Sequence, residues 1–296
     1  MLQRKPLIWF LILTFAISWT FFLIPLAFKA NPAAYSQAAL LCWTIGMWGP
    51  GIAAILTTLL VAKRPFSDLR LNKLGKFRFY LIAWFLFPLL AALTVALSGI
   101  IGTGIFDPNF TTMNQIASSQ SIPVTILIIS QLIQGLLIGP IFNIFATMGE
   151  ELGWRGFLLP KLLPIGQWKA ILVSGLIWGF WHAPVILQGH NFPRHPYWGV
   201  LVMMLGCVLL GAIFSWLYLK TRSPWSAAVA HGSVNAWGGL PFVFLLPAFD
   251  ALFGGIILSL TGCIVLAAFI GFLVLIKQMP VKLPEESPVI PAPTEA

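Results

Sequence analysis

Long runs of apolar residues separated by short polar segments dominate the chain. Eight runs reach about 18 residues, the length at which an α-helix can cross the hydrocarbon core of a bilayer. They are continuous rather than alternating, which excludes a porin-type barrel. The pattern predicts an all-α membrane protein, a polytopic bundle with spans at about residues 7–28, 37–62, 79–101, 122–147, 170–187, 199–219, 224–247 and 251–276.

Glycine and proline interrupt several of these predicted spans. Gly49-Pro50-Gly51 lies in the second span, Gly139-Pro140 in the fourth, and Pro184 near the end of the fifth. Irregular backbone is tolerated at membrane depth only where protein or a water-filled cavity satisfies the freed polar groups. The breaks therefore indicate either simple kinks or an internal cavity.

The composition agrees with a membrane protein. Hydrophobic residues make up 59% of the 296 residues and charged residues 8%, against about 25% charged residues in ordinary soluble domains. This excludes a cytosolic globular enzyme and a disordered chain. The three cysteines all lie in apolar runs and form no disulfide or zinc-ribbon spacing.

The basic residues predict an orientation in the membrane. The net charge is +9, and 15 of the 17 Lys and Arg residues fall in alternate inter-span segments, with Lys29 and Arg194 as the exceptions. The positive-inside rule then puts both termini in the cytoplasm and argues against a nucleic-acid partner. We expect one integral membrane domain over residues 1–277, followed by a proline-rich, disordered cytoplasmic tail over 278–296.

Two adjacent glutamates are the most unusual feature of the sequence. Glu150 and Glu151 adjoin the fourth span without a polar linker, whereas the other six acidic residues lie in predicted loops or the tail. Ionisable groups at membrane depth are costly and are retained mainly where they act. On a helix Glu151 can pair with Arg155 at i+4. Glu150, rotated by about 100°, can then face a cavity.

Two histidines lie inside predicted spans. His182 is in the fifth span, and His231 is in the seventh, one turn before Asn235. His190 and His195 fall in a short outer loop, where we expect them to be solvated. Gln131, Gln134 and Asn143 polarise one side of the fourth span and are expected to form interhelical hydrogen bonds first and to line a cavity second.

The available chemistry is a carboxylate with two imidazoles. The sequence contains no H-E-x-x-H, G-x-S-x-G, Walker or dinucleotide motif. A glutamate and two histidines suit activation of water, with the imidazoles binding either a metal ion or a developing oxyanion. Glu150, His182 and His231 are the candidate metal ligands, although their spacing matches no known closed zinc motif.

The order of these residues resembles the type II CAAX prenyl endopeptidases, which belong to the CPBP group of intramembrane proteases. The resemblance rests on three motifs that follow one another along the chain: Glu150-Glu151-x-x-x-Arg155, Trp178-x-x-x-His182 and His231-x-x-x-Asn235. The family has Phe where this chain has Trp178. Gly49-Pro50 is also similar to the family pattern.

The resemblance implies an all-helical protease whose cavity opens to the cytoplasmic side, with a core at about residues 122–247. Glu150 is then the base that activates water, and Glu151, held by Arg155, supports the site. His182 positions water or substrate, while His231 and Asn235 stabilise the oxyanion. The family is described both as metalloproteases and as metal-free glutamate proteases, so the cofactor is either none or a divalent metal such as zinc.

Two other functions remain open at this stage. The chain can be a non-enzymatic immunity factor or scaffold of the same fold, or a proton-coupled transporter, since buried Glu and His also suit proton relays. Transporters usually contain two related halves, and no internal repeat is visible here. The expected partners are the lipid bilayer and a membrane-associated protein or peptide, which can be a prenylated CAAX protein, a pheromone or a bacteriocin precursor.

Overall fold

A computed structural model describes residues 4–283 of the chain. These residues are mainly α-helical and contain no β-strand, so the all-α prediction is confirmed. The α-helices are α1 Arg4–Leu23, α2 Pro32–Gly46, α3 Gly49–Leu56, α4 Arg78–Ile101, α5 Thr111–Ser119, α6 Val124–Ile133, α7 Gly139–Glu151, α8 Leu159–Leu162, α9 Gln167–Trp181, α10 Ala183–Leu187, α11 Pro196–Thr221, α12 Pro224–Ala236, α13 Pro241–Phe244 and α14 Leu260–Leu275. Three π-helical segments join or extend them: Thr57–Val61, Gln134–Ile138 and Leu152–Leu158.

Several of these helices join into longer runs that can cross a bilayer. Within the described residues, five runs are long and apolar enough by length and composition: Arg4–Phe28, Pro32–Val61, Arg78–Ile101, Val124–Ile165 and Pro196–Thr221. α14 is apolar but shorter, with 16 residues. The fifth and seventh predicted spans consist of shorter helices, because the chain breaks after Trp181 and again after Ala236.

One end of the bundle gathers most of the basic inter-helix segments, and we call it the basic end. It is formed by residues 63–77, 160–169, 220–225 and 277–282. The indole of Trp225 donates to the carbonyl of Leu71 over 3.0 Å, and Gln167 donates to the carbonyl of Val281 over 3.2 Å. These contacts bring segments that are distant in sequence to the same end.

The opposite end, which we call the distal end, comprises residues 24–35, 102–123, 187–196 and 237–259. Gln188 donates to the carbonyl of Phe22 over 2.9 Å, and His195 Nε2 lies 2.8 Å from a carboxylate oxygen of Asp250. Arg194 donates to the carbonyl of Ala248 over 3.0 Å. His195 is therefore held in an ion-pair geometry, which corrects the expectation that it is simply solvated.

The chain is packed beyond the predicted end of the membrane domain. Met279 and Val281 are buried, and the backbone N–H of Val281 donates to the side-chain oxygen of Gln167 over 2.7 Å. The first residues of the expected tail thus lie against the bundle. The remainder of that expected tail, residues 284–296, lies outside the described residues.

Close helix packing surrounds the two glutamates. A Cβ atom on Gly51 would lie 2.7 Å from the carbonyl oxygen of Gly149, and one on Gly153 would lie 2.7 Å from the carbonyl oxygen of Pro50. Small residues at such positions let helix backbones approach each other. The Gly49-Pro50-Gly51 break therefore begins α3 directly against the helix that carries Glu150 and Glu151.

Candidate active site

Glu150 and Glu151 lie within a continuous helical run rather than beyond the end of a span. The fourth span was predicted to end at residue 147, but the helix continues to Ile165. α7 ends at Glu151, and the π-helical turns Leu152–Leu158 follow directly. Single π-helical turns are common at functional sites because they shift the direction in which side chains project.

Glu151 is the centre of a buried ion-pair network. Nη1 of Arg155 lies 2.8 Å from both carboxylate oxygens of Glu151, and Nδ1 of His231 lies 3.0 Å from Oε1. All three residues are buried. The predicted i, i+4 pair is therefore confirmed in the structure, and His231 from α12 joins it. Because an ionised carboxylate only accepts hydrogen bonds, His231 must present Nδ1–H to it.

Aromatic rings enclose the guanidinium of Arg155. Its Cζ atom lies 4.5 Å from the centroid of the Trp178 ring and 5.1 Å from that of Phe214. The planar, delocalised guanidinium suits stacking on aromatic faces, which a lysine ammonium reproduces poorly. Arg155 is therefore fixed both by charge and by shape.

Glu150 faces away from this network and is held by two indoles. Trp178 donates its Nε1–H to Oε2 over 2.6 Å, and Trp154 donates to the same oxygen over 3.4 Å. The residue is only 1% exposed. Hydrogen bonds from these neutral donors orient the carboxylate and leave it able to accept a proton.

His182 occupies the break between α9 and α10. Its Nδ1 lies 2.9 Å from the carbonyl oxygen of Trp178, so this nitrogen carries the proton and Nε2 is the acceptor of the neutral ring. The chain turns here before Pro184, at the place where the sequence indicated a break. Trp178 contacts both imidazoles, with ring centroids 5.8 Å from His182 and 5.4 Å from His231.

A cavity of ≈ 490 Å³ connects these groups. Glu150, His182, His231 and Asn235 all line it, whereas Glu151 and Arg155 lie behind its wall. Asn235 is exposed on the last turn of α12. Most of the other lining residues are apolar: Phe22, Ala39, Leu40, Met47, Val185, Met203, Leu210, Val234, Ile256, Ile257 and Leu258. Pockets of this size and character are typical ligand sites.

Among the described residues, the candidate metal ligands are not grouped as in a zinc site. Within residues 4–283, no three His, Cys, Asp or Glu side chains are grouped so that they could hold a metal ion. Zinc sites require at least three protein ligands at about 2.0–2.3 Å. In the part of the chain that the structure describes, Glu150, His182 and His231 do not meet this requirement.

Sequence reasoning missed the role of the aromatic side chains. The sequence analysis gave Trp178 no role beyond its place in the motif with His182, yet it contacts Glu150, Arg155 and both buried histidines. The one available signal was its position, one turn before His182. Asn143 donates to the carbonyl of Gly232 over 3.2 Å, which agrees with its predicted interhelical hydrogen bond.

A helical membrane protein with a buried carboxylate, two imidazoles and an amide on one cavity wall has the groups of an intramembrane hydrolase. Residues 131–237 match the family model described as type II CAAX prenyl endopeptidase Rce1-like. All six predicted site residues and Trp178 fall within the matched segment. The resemblance is therefore confirmed over this part of the chain, and the matched family is a protease family. Comparison with curated proteins gives no match.

Proposed function

We propose that the chain is an intramembrane endopeptidase in which Glu150 activates the water that hydrolyses a peptide bond. The observation that supports this most is the position of Glu150. Its carboxylate is buried at the wall of a large apolar cavity, and among the described side chains its hydrogen-bond donors are two indole N–H groups. A buried acid of this kind lowers the stability of the fold, so it is retained mainly where it has a function. The protease-family match over residues 131–237 supports the same conclusion.

In the proposed reaction, Glu150 takes a proton from water as the oxygen attacks the substrate carbonyl carbon. Nε2 of neutral His182 accepts the second hydrogen of this water and orients it. Glu150 then delivers its proton to the leaving amine, which restores the carboxylate. General acid–base catalysis of this kind contributes about 10²–10⁴-fold to a rate.

His231 and Asn235 are proposed to stabilise the oxyanion. They lie one turn apart on α12 and both line the cavity. Because Nδ1–H of His231 is directed to Glu151, donation from Nε2 requires the doubly protonated ring. Glu151, which pairs with Arg155 and lies against Nδ1 of His231, is the counter-ion for this imidazolium. Preorganised donors at an oxyanion contribute about 2.7–4 kcal/mol each.

We also propose that the chain crosses the membrane eight times. The short spans are α9 with α10, α12 and α14. Both termini then lie in the cytoplasm, as the positive-inside rule predicts. The substrate is a membrane-associated protein or peptide, and the reaction needs no obligatory metal. A non-enzymatic scaffold or a proton-coupled transporter would show no dependence of proteolysis on Glu150.

Quantitative membrane proteomics tests the function directly. Membranes from cells that produce the wild-type chain are compared with membranes from cells that produce Glu150→Gln, and new protein N-termini are identified. We expect N-termini that appear only with the wild-type chain. Equal sets of N-termini from the two strains, at equal levels of the two proteins, would exclude the proposed endopeptidase activity.

A further inference from the structure

A second cavity lies at the basic end of the bundle. Its volume is ≈ 700 Å³, and Glu150 is not among the described residues that line it. Its walls come from the end of the π-helical segment Thr57–Val61, from the basic segment 63–77, and from residues 156–164. The lining residues Asn72 and Lys73 are exposed, so the cavity is open at the protein surface.

Three basic side chains give this cavity its charge. Arg70, Lys73 and Lys161 line it together with Arg64 and Asp68. Arg64 lies 2.8 Å from the carboxylate of Asp68, so these two form an ion pair without net charge. Asp68 is the only acidic residue among the described lining residues. A concave site with an excess of three positive charges attracts an anion.

The types of donor in the lining suit a phosphate group. Arginine presents a planar fork that can bind two phosphate oxygens at once, and lysine acts as a point charge. Ser67 and Asn72, which also line the cavity, add a hydroxyl and an amide that can donate to anionic oxygens. The cavity therefore combines charge-assisted and neutral donors on one wall.

The cavity lies where two candidate membrane spans end. The runs Pro32–Val61 and Val124–Ile165 are long and apolar enough to cross a bilayer, and Ala62 and Pro164, at the ends of these runs, line the cavity. The end of a span coincides with the change from hydrocarbon to lipid headgroups. Both leaflets present phosphate groups at this depth, so this position holds for either orientation of the chain.

Exposed apolar side chains lie among the basic ones. Phe66, Leu74 and Phe77 of the basic segment are exposed, and so is Leu60 at the end of the adjoining span. Aromatic and apolar side chains beside Lys and Arg are typical of segments that lie at a membrane interface. A free phosphate ion needs no apolar neighbours, whereas a phospholipid presents its phosphate and its acyl chains together.

We infer that this cavity binds the headgroup phosphate of an anionic phospholipid, with Arg70, Lys73 and Lys161 as the groups that hold it. A zwitterionic lipid is disfavoured because its ammonium group would meet the same three cations. The site is separate from the candidate active site and does not depend on the proposed endopeptidase function. Its wall includes Gly156 of the π-helical segment that also contains Arg155. A lipid bound to the folded chain alone therefore stabilises this segment.

Native mass spectrometry of the purified full-length chain tests this assignment. The protein is mixed with phosphatidylglycerol, which has a net negative charge, and with phosphatidylcholine of the same acyl chains. We expect one molecule of phosphatidylglycerol to be retained in preference to phosphatidylcholine. The melting temperature should also rise when phosphatidylglycerol is added to phosphatidylcholine nanodiscs. Arg70→Gln/Lys73→Gln, which removes two of the three charges, should raise the apparent Kd for phosphatidylglycerol by roughly 30-fold.

Lys76→Gln/Lys169→Gln is the matched control. Both lysines are exposed in segments of the basic end and do not line the cavity, so this variant loses the same net charge. Its apparent Kd should stay close to that of the wild type. Both double variants should melt at the wild-type temperature in phosphatidylcholine alone, which separates loss of binding from loss of folding.

Three results would overturn the inference. Equal retention of the two lipids by the wild type would show that the cavity does not select an anionic headgroup. Equal weakening in the two double variants would show that phosphatidylglycerol responds only to the overall charge of the basic end. Displacement of phosphatidylglycerol by an excess of inorganic phosphate would assign the cavity to a free phosphate ion instead of a lipid.

Discussion

The indole of Trp178 donates its N–H to Oε2 of Glu150 over 2.6 Å. The residue at which this chain departs from the family motif is thus in direct contact with the proposed base. A phenylalanine at this position has an aromatic ring but no donor. The departure therefore adds a hydrogen bond to the site and keeps the ring that covers Arg155.

Trp178→Phe tests the contribution of this hydrogen bond. The variant retains an aromatic face for Arg155 but leaves Glu150 with only the longer contact from Trp154. A hydrogen bond to a charged group contributes about 1.5–3 kcal/mol. We expect kcat/KM for a validated substrate to fall by about 10-fold or more.

Trp216→Phe is the matched control for that variant. Within the described residues the indole N–H of Trp216 is buried without a hydrogen-bond partner, and its ring packs against Phe79 and Phe269 away from the cavity. Its replacement should leave kcat/KM unchanged. Equal kcat/KM for Trp178→Phe and the wild type would show that the indole N–H does not support the base.

Glu150→Gln should strongly reduce activity and leave the fold intact. The amide has nearly the same shape and can still accept from Trp178, but it cannot take a proton from water. The loss of a general base should reduce kcat by at least about 10²-fold. The measurement is cleavage by the purified chain in lipid nanodiscs, with its melting temperature as the test of folding.

Asp68→Asn provides the same chemical change outside the site. Asp68 forms a partly exposed ion pair with Arg64 over 2.8 Å at the basic end. Such pairs contribute about 0–1 kcal/mol, so cleavage should remain at the wild-type rate. If Glu150→Gln cleaves the substrate as fast as Asp68→Asn does, Glu150 is not the base.

Arg155→Lys should reduce both activity and stability. Lysine keeps the charge but loses the planar group that lies against Trp178 and Phe214. Glu151, which is fully buried, would then be poorly paired, and complete loss of a partner in such a pair costs about 3–5 kcal/mol. We expect a clearly lower melting temperature, with Arg64→Lys at the exposed pair as the neutral control. Unchanged melting and cleavage in Arg155→Lys would show that a simple positive charge is sufficient.

Gly153→Ala should destabilise the packing of α3 on the glutamate-bearing helix. The added Cβ would lie 2.7 Å from the backbone of Pro50, which has little room to move. Overpacking of this kind costs about 1–3 kcal/mol. Gly271→Ala in α14 is the control, because its Cβ meets no described atom within 4 Å and alanine favours the helix. Equal melting temperatures for the two variants would contradict the close contact.

Elemental analysis of active protein tests whether the reaction needs a metal. We expect less than stoichiometric zinc and full activity after treatment with a chelator, because the candidate ligands are not grouped as a metal site. His182→Ala and His231→Ala should lose activity without a change in metal content. Stoichiometric zinc that disappears in both variants, together with activity restored by added zinc, would make both histidines ligands.

The sequence predicted the helical class. It also singled out Glu150, His182, His231 and Asn235, which the structure brings to one cavity, because polar and ionisable groups in an apolar run are conspicuous. The Glu151–Arg155 pair followed from helical spacing alone. The contact of His231 with Glu151 did not, because it depends on how α12 packs on α7 across about 80 positions of the sequence. Counted along ideal straight helices from the cytoplasmic ends of their predicted spans, His182 and His231 differ in depth by about 8 Å. The break at His182 interrupts one of those spans, and both histidines line the same cavity.

The ends of the predicted spans also differ from the ends of the helices in the structure. Hydropathy ended the fourth span at residue 147 because charged residues follow it, whereas the helix continues to Ile165. Burial of Glu150, Glu151 and Arg155 removes their charges from the surface, and hydropathy cannot detect pairing between side chains. Apolar residues after Ala236 extended the seventh span in the prediction, but glycines and Pro241 end α12 there.

Alternate residues of the heptapeptide from Gly149 to Arg155 contact two different helices, α3 and α12. This arrangement has an evolutionary consequence. Gly149 and Gly153 contact α3, and Glu151 with Arg155 holds α12, so these four positions are under selection for folding even in a descendant that no longer cleaves anything. Among the described residues, Glu150 accepts hydrogen bonds from the indoles of Trp154 and Trp178 and lines the cavity, so it is the acidic residue of this heptapeptide that such a pseudoenzyme could lose without loss of folding. Inactive relatives should therefore be recognisable by a changed residue at this one position beside an otherwise intact motif.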